Sequence, residues 1–362
     1  MEIHGWTAGF LLATILSSVD AAAELSAMFV FGDSLMDPGN NNYLSSTARA
    51  DFLPYGIDFF AGPSGRFCNG KTVVDYLGDL LGIPLLPAYA SPFSTGKSIL
   101  RGVNYASAAG GILEETGKTH GERFSLSQQV DNFESTLNEL RVEMRGDEEQ
   151  LKSYLSKALV VMSLGSNDYI NNYLQPSYYT SSYLYTPQDY ASLLINRYAT
   201  QILRLESLGL KKFVLGGIGP LGCIPNQLAR NEVQGECVVS TNNAVAMFNH
   251  DLKSLVDKLN NNNNNGSIFA YGNIYGAFMD ILNNGSTNGL KVRDRGCCGL
   301  GKNRGQITCL PMLVPCSNRQ EYVFWDAFHP TQVVNQMLAS RAHSGTQSDC
   351  YPLNIQQIVA SI

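Results

Sequence analysis

Positive charge is scarce in this chain of 362 residues: 25 Lys and Arg face 31 Asp and Glu, a net charge of −6. No basic surface is therefore on offer to a polyanion, and nucleic acid is not an expected partner. Beyond the N-terminus no apolar run is long enough to cross a bilayer, so no transmembrane segment is expected. Charged residues of both signs make up only 15% against 44% apolar ones, which excludes a disordered chain, and the 34 Gly follow no collagen period. No repeat or linker interrupts the chain, and its C-terminus carries neither a lipid-anchor tail nor a retention tetrapeptide.

At the N-terminus, an apolar run over residues 9–16, small polar residues and then Ala21, Ala22 and Ala23 read as a cleavable export signal spanning residues 1–23. The folded domain is then residues 24–362. Export changes the meaning of the eight cysteines, all of which follow that segment, because an even number in an exported chain favours disulfides over metal ligation. Cys223 with Cys237 closes a short loop. Cys297, Cys298, Cys309 and Cys316 allow two non-vicinal pairings, and Cys68 with Cys350 remains by elimination. No His lies among the four clustered cysteines, so no metal is expected there. Asn265 and Asn284 begin N-glycosylation acceptor triplets, which fits an extracellular destination such as the apoplast or cell wall.

Short apolar runs at 27–31, 158–164, 212–215 and 267–271, with a weaker one at 103–106, predict buried strands. Between them Leu126, Val130, Phe133, Leu137 and Leu140 recur at helical spacing, as do Val245, Phe248, Leu252, Leu255 and Leu259. Further helices are expected over 187–208 and 331–342. Strands separated by such helices imply an α/β fold with a parallel sheet and helices on both faces. A sheet of that kind presents its site beyond the carboxyl ends of its strands.

Three segments stand at such places. In Phe31-Gly32-Asp33-Ser34-Leu35 a strand runs into an acid and a Ser, which puts Ser34 at a strand-to-helix turn with its own N–H free; the bland use of Asp33 and Ser34 is helix capping. Gly165-Ser166-Asn167-Asp168 brings the Asn167 amide to the sheet's edge, where it can donate to a developing oxyanion or form an Asx-turn. Asp326-Ala327-Phe328-His329-Pro330 is the most telling. An acid three residues before a His lets one turn set a carboxylate against Nδ1 and present Nε2 outward.

These three segments, in this order, resemble the plant GDSL esterase/lipase family within the SGNH hydrolases. The resemblance extends through Gly62-Pro63-Ser64-Gly65-Arg66-Phe67, Gly102-Val103-Asn104-Tyr105-Ala106-Ser107 leading to Gly110-Gly111, and Gly216-Gly217-Ile218-Gly219-Pro220. It implies a single-domain, three-layer α/β/α fold with a flavodoxin-like parallel sheet, and cofactor-independent hydrolysis of acyl or acetyl esters, with a small-molecule, lipid or polysaccharide ester as substrate. Carried over residue by residue, Ser34 is the nucleophile, His329 the base and Asp326 its orienter. The oxyanion donors are the Ser34 N–H, the Asn167 side chain and the N–H of Gly111, with the adjacent Gly110 as the alternative. Cys68 departs from the family, which more often shows a small hydroxyl residue there, and this puts the outer disulfide in question. The same residues serve an acyltransferase equally, and a catalytically silent extracellular binding protein is the non-enzymatic alternative.

Two other motif readings fail. Gly217-Ile218-Gly219-Pro220-Leu221-Gly222 fits the dinucleotide fingerprint, but Pro220 and Pro225 break the helix start that the fingerprint needs. The α/β-hydrolase class needs a G-x-S-x-G elbow, which the chain lacks. The Tyr-rich stretch 173–190 reads as a surface loop or as the rim of an acyl pocket, and residues 52–56 are similarly open; neither supplies a site residue.

Overall fold

Residues 28–32 carry no charged side chain and are buried throughout, as a strand sandwiched between two helical layers requires. In the computed structural model, which describes residues 25–231, 237–262 and 265–362, this strand is β1 (Met28–Gly32). The chain continues through α1 (Val73–Leu81), α2 (Leu126–Glu143) and α3 (Glu148–Ser156) to β2 (Leu159–Ser163). The short α4 (Ser166–Asp168) and α5 (Ser181–Leu184) precede α6 (Pro187–Ser207) and β3 (Lys212–Gly216). Next come α7 (Pro225–Arg230), α8 (Val239–Asn261), β4 (Ile268–Gly272) and α9 (Ile274–Asn284). A small parallel pair, β5 (Val292–Gly296) and β6 (Tyr322–Phe324), leads into α10 (Gln332–Ser344), the two-residue edge strand β7 (Cys350–Tyr351) and α11 (Ile355–Ala360). The expected export signal, residues 1–23, lies outside the described residues.

The main sheet has the order β1-β2-β3-β4-β7, with the first four strands parallel and β7 antiparallel. The weak strand expected at 103–106 lies along the free edge of β1: Val30 donates to Val103, Tyr105 donates back to Val30, and Ser107 donates to Gly32. Counting it, the parallel strands run 2-1-3-4-5 in chain order. That is the flavodoxin-like arrangement, whose switch point falls between β1 and β2.

Helix signals act where the sequence places them. Thr72 and Asp75 form a capping box on α1, which ends at Gly82 in the left-handed region. Ser125 caps α2, and Thr186 caps α6 ahead of Pro187 at its first turn. The apolar stripes of α2 and α8 bury Phe133, Leu137, Val245 and Phe248 against Phe29, Phe31, Val160 and Phe213 on one face of the sheet. The opposite face, with Val30, Val161 and Val214, is covered by Leu77 of α1 and by Ile355 and Ile358 of α11. The result is three layers of a single-domain α/β fold. A third cluster, built from cystines with Tyr55, Phe67 and Trp325, sits outside this sandwich.

Disulfides join Cys223 to Cys237, Cys297 to Cys316 and Cys298 to Cys309, which settles the pairing that spacing left open. The expected Cys68–Cys350 bridge does not form. Both thiols are buried and free, Cys68 with its Sγ on the Gly70 carbonyl at 3.1 Å and Cys350 on edge strand β7. Elimination failed because it assumed that every thiol must be oxidised, whereas two buried ones serve here as small apolar side chains.

Candidate active site

β1 runs directly into a turn, and the next helical segment is the single 3-10 turn Asn40–Tyr43. Asp33 accepts N–H bonds from Met36 and Asp37 on its carbonyl and from Leu35 on Oδ1, so Ser34 stands at the crest of one tight turn rather than at a helix N-terminus. The helix-dipole effect expected at Ser34 is therefore absent. Its N–H has no partner among the described residues. Burial raises the Asp33 carboxyl to about 6, against the pull of the Leu35 N–H and of His329.

Across the sheet's carboxyl edge, Asp326 and His329 share one turn just before α10. Asp326 Oδ1 accepts the N–H groups of Phe328 and His329 at 2.8 Å, which curls the segment so that Nδ1 of His329 lies 2.9 Å from both carboxylate oxygens. His329 Nε2 lies 2.7 Å from Ser34 Oγ. Asp326 is fully buried, which alone would raise its pKa. The facing imidazole, its hydrogen bond, the Tyr55 phenol and the Phe328 N–H outweigh burial and hold it below the usual carboxylate range. A carboxylate only accepts, so Nδ1 carries the hydrogen and Nε2 is left to accept from Ser34.

Tyr55 was not among the residues expected here. Its hydroxyl donates to Asp326 Oδ2 at 2.6 Å. It comes from the loop 52–70, whose Phe67 ring also lies 5.1 Å from the imidazole. The sequence signal was faint: an aromatic in a Pro- and Gly-flanked loop, with nothing local to tie it to an acid 271 residues on.

Asn167 follows β2, where Gly165 turns the chain at φ 124°, a conformation costly for any other residue. The Asn167 amide donates to the Gly110 carbonyl at 2.9 Å and accepts from Asn171 at 2.7 Å, which fixes its orientation and leaves one N–H uncommitted. The Gly110 N–H is spent on the Ser107 carbonyl, whereas the Gly111 N–H has no partner among the described residues. Buried Asp168 pins that loop by accepting from Ile112, Leu113 and Thr116, and burial raises its pKa to about 6. Asp37 does the same from the other side, bonding Gly39, Asn40 and Ala108.

Beside Ser34, Asn167 and His329 lies a cavity of about 120 Å³, lined mainly by apolar side chains. None of the tyrosines of 173–190 lines it. Tyr178 and Tyr183 are exposed on the connection that carries α5, whereas Tyr173 packs against Tyr190 of α6 and both are buried in the main core. The Gly-rich run after β3 is held by Asn249, which bonds both the N–H and the carbonyl of Ile218. Asn265 is exposed between α8 and β4; Asn284 is also exposed but ends α9 instead of lying in a loop. Among the described residues no group of His, Cys, Asp or Glu forms a metal site, and no helix is long and apolar enough to cross a membrane.

A profile of GDSL-like lipases and acylhydrolases matches residues 28–342. The chain belongs to this GDSL family. Two GDSL esterase/lipases of Arabidopsis thaliana are 56% and 54% identical to it, over 96% and 94% of this chain and 91% and 90% of their own lengths. GDSL esterase/lipase 7 of the same plant is 50% identical over 92% of this chain and 91% of its own. As a GDSL family member the protein is a carboxylic ester hydrolase, and the segments that carried the resemblance all lie inside the matched span.

Proposed function

We propose that the protein is a secreted serine hydrolase that cleaves acyl esters through a Ser34–His329–Asp326 triad and an acyl-enzyme. The unbroken hydrogen-bonded line from Ser34 Oγ through the imidazole to a buried, ionised Asp326 carries this reading. His329 Nε2 takes the Ser34 proton as Oγ attacks the ester carbonyl, and Asp326 stabilises the imidazolium that forms. The oxyanion is received by the Ser34 N–H, the Gly111 N–H and the uncommitted N–H of Asn167. Gly111 is preferred to Gly110 because the Gly110 N–H is already engaged. His329 returns the proton to the leaving alcohol, and water then releases the acid by the same steps in reverse. Three disulfides support export to an oxidising compartment, and exposed Asn265 and Asn284 are the candidate glycosylation sites.

Hydrolysis of p-nitrophenyl esters from acetate to palmitate by wild type and by Ser34→Ala tests the reading. Turnover by wild type alone, with labelling of Ser34 by a fluorophosphonate, is the expected result. Equal turnover by the two proteins would remove Ser34 as nucleophile.

A further inference from the structure

We infer that Asn171 is a positioning residue for the oxyanion site: it holds the Asn167 amide in the one orientation that aims an N–H, not a carbonyl, at the reacting ester. The inference rests on Asn167 as an oxyanion donor and deepens that reading. A side-chain amide has two ends of opposite character, and turning it over would present Oδ1 where negative charge develops. The Gly110 carbonyl, which can only accept, takes the Asn167 Nδ2 at 2.9 Å. Oδ1 then faces the other way and needs a donor, which Asn171 Nδ2 supplies at 2.7 Å. Asn171 Oδ1 in turn lies 3.4 Å from His120 Nε2, a nitrogen that can donate. The result is a relay in which each amide is oriented by the next, starting from a backbone carbonyl.

The backbone after α4 keeps Asn171 in that place. The chain makes a π turn, Tyr169–Tyr173, closed by the Leu174 N–H on the Tyr169 carbonyl at 2.8 Å, and Asn171 leaves helical geometry there at φ −115° and ψ 17°. Single π turns are uncommon and concentrate at functional sites. This one sends consecutive asparagines to different tasks. Asn172 is buried, donates to Thr116 Oγ1 at 3.0 Å on the loop that follows Gly111, and accepts from Ser181 at 2.6 Å. From α6 the Tyr190 hydroxyl donates to the Asp168 carbonyl at 2.8 Å. With the turn pinned on both sides, Asn171 cannot drift from Asn167 without breaking these bonds as well.

The test compares Asn171→Leu, which deletes the donor, with Asn171→Asp, which sets an acceptor against Oδ1 and drives the Asn167 amide to turn over, each in wild type and in Asn167→Ala. Cleavage of p-nitrophenyl esters is measured beside binding of a trifluoromethyl ketone, whose carbonyl carbon takes Ser34 Oγ while the proton passes to His329, leaving a full oxyanion. Asn171→Leu should lower kcat about tenfold and Asn171→Asp about 10²–10³-fold, with KM nearly unchanged and ketone affinity falling in step. A merely structural role predicts the reverse order, because Asp is nearer to Asn in size and polarity. In the Asn167→Ala background neither substitution should cost more than about twofold. If one variant does not fold, the other completes this cycle. Losses that persist undiminished there, or that fall on KM, overturn the relay while leaving hydrolysis intact. Asn167→Ala as active as wild type overturns it together with the oxyanion role of Asn167. Ketone binding weakened in the expected order, in protein that cleaves no ester, upholds the relay and counts against the hydrolase reading. Protein that neither cleaves esters nor binds the ketone overturns both.

Discussion

The Tyr55 hydroxyl and Asp326 Oδ2 lie 2.6 Å apart although 271 residues separate them in the chain. With both Asp326 oxygens also facing His329, the carboxylate is clamped from two sides, and the imidazole inherits that alignment. Tyr55→Phe keeps the ring packed against Trp325 and Phe67 but deletes the donor. A hydrogen bond to a charged group is worth about 1.5–3 kcal/mol, so kcat should fall on the order of tenfold with KM nearly unchanged. Asp326→Asn should cost far more, up to about four orders of magnitude, by analogy with the same exchange in the serine-protease triad. Steady-state kinetics of the two variants beside wild type check the ranking; a Tyr55→Phe enzyme as fast as wild type would show that the clamp is idle.

Gly111 answers to space as well as to chemistry. A Cβ there would lie 2.4 Å from Thr116 Cγ2 and 2.8 Å from Asp168 Oδ1. Gly111→Ala must therefore displace the loop that Asp168 holds, and the Gly111 N–H moves with it. Loss of one oxyanion donor typically costs about 10²–10³ in kcat. Asn167→Ala should fall in the same range, and a loss below tenfold in both variants would relocate the oxyanion.

Much of this site was written locally. The acid–His turn, the Ser after β1 and the Asn after β2 each depend on a few consecutive residues, and the strand and helix periods that bring them to one sheet edge are equally local. What stayed illegible is long-range. Nothing near Tyr55 announces Asp326, and nothing near Cys68 announces that its thiol and that of Cys350 stay free. The turn at Ser34 misled because a strand followed by Asp-Ser reads as a helix start, whereas Asp33 and Asp37 spend their carboxylates on holding loops.

Stability should respond to pH through three buried acids. Burial raises Asp33, Asp37 and Asp168 to about 6 from 3.8, so between these values the folded state binds more protons than the unfolded chain. Their contribution is complete below the unfolded value and is lost as pH rises through about 6. His343, held below its ordinary value by burial, pulls the other way, while Asp58, Asp75 and Asp326, all lowered, withdraw support only under stronger acid. Three acids against one His predict a higher melting temperature at pH 5 than at pH 7 by scanning calorimetry. A flat or opposite trend would mean that these carboxyls stay ionised in the fold.

Thiol titration in denaturant should count two free groups, Cys68 and Cys350, and six more after reduction. Reduction should also lower activity together with melting temperature. Cys297 and Cys298 donate backbone hydrogen bonds to the carbonyls of Phe324 and Trp325, immediately before Asp326, and native disulfides in small exported domains are typically worth about 2–5 kcal/mol. Full activity in a reduced protein whose melting temperature has dropped would uncouple the cystine cluster from Asp326.

Ser34 and His329 meet across 295 residues, one coming from the first strand of the sheet and the other from the approach to α10. During synthesis, every strand of the parallel sheet leaves the ribosome before the imidazole does. On the proposed triad, a chain that ends before α10 would carry Ser34 but lack the imidazole that is to activate it. On that reading, ester cleavage begins only once nearly the whole polypeptide exists, and the onset of activity becomes a clock for the final closure of the fold.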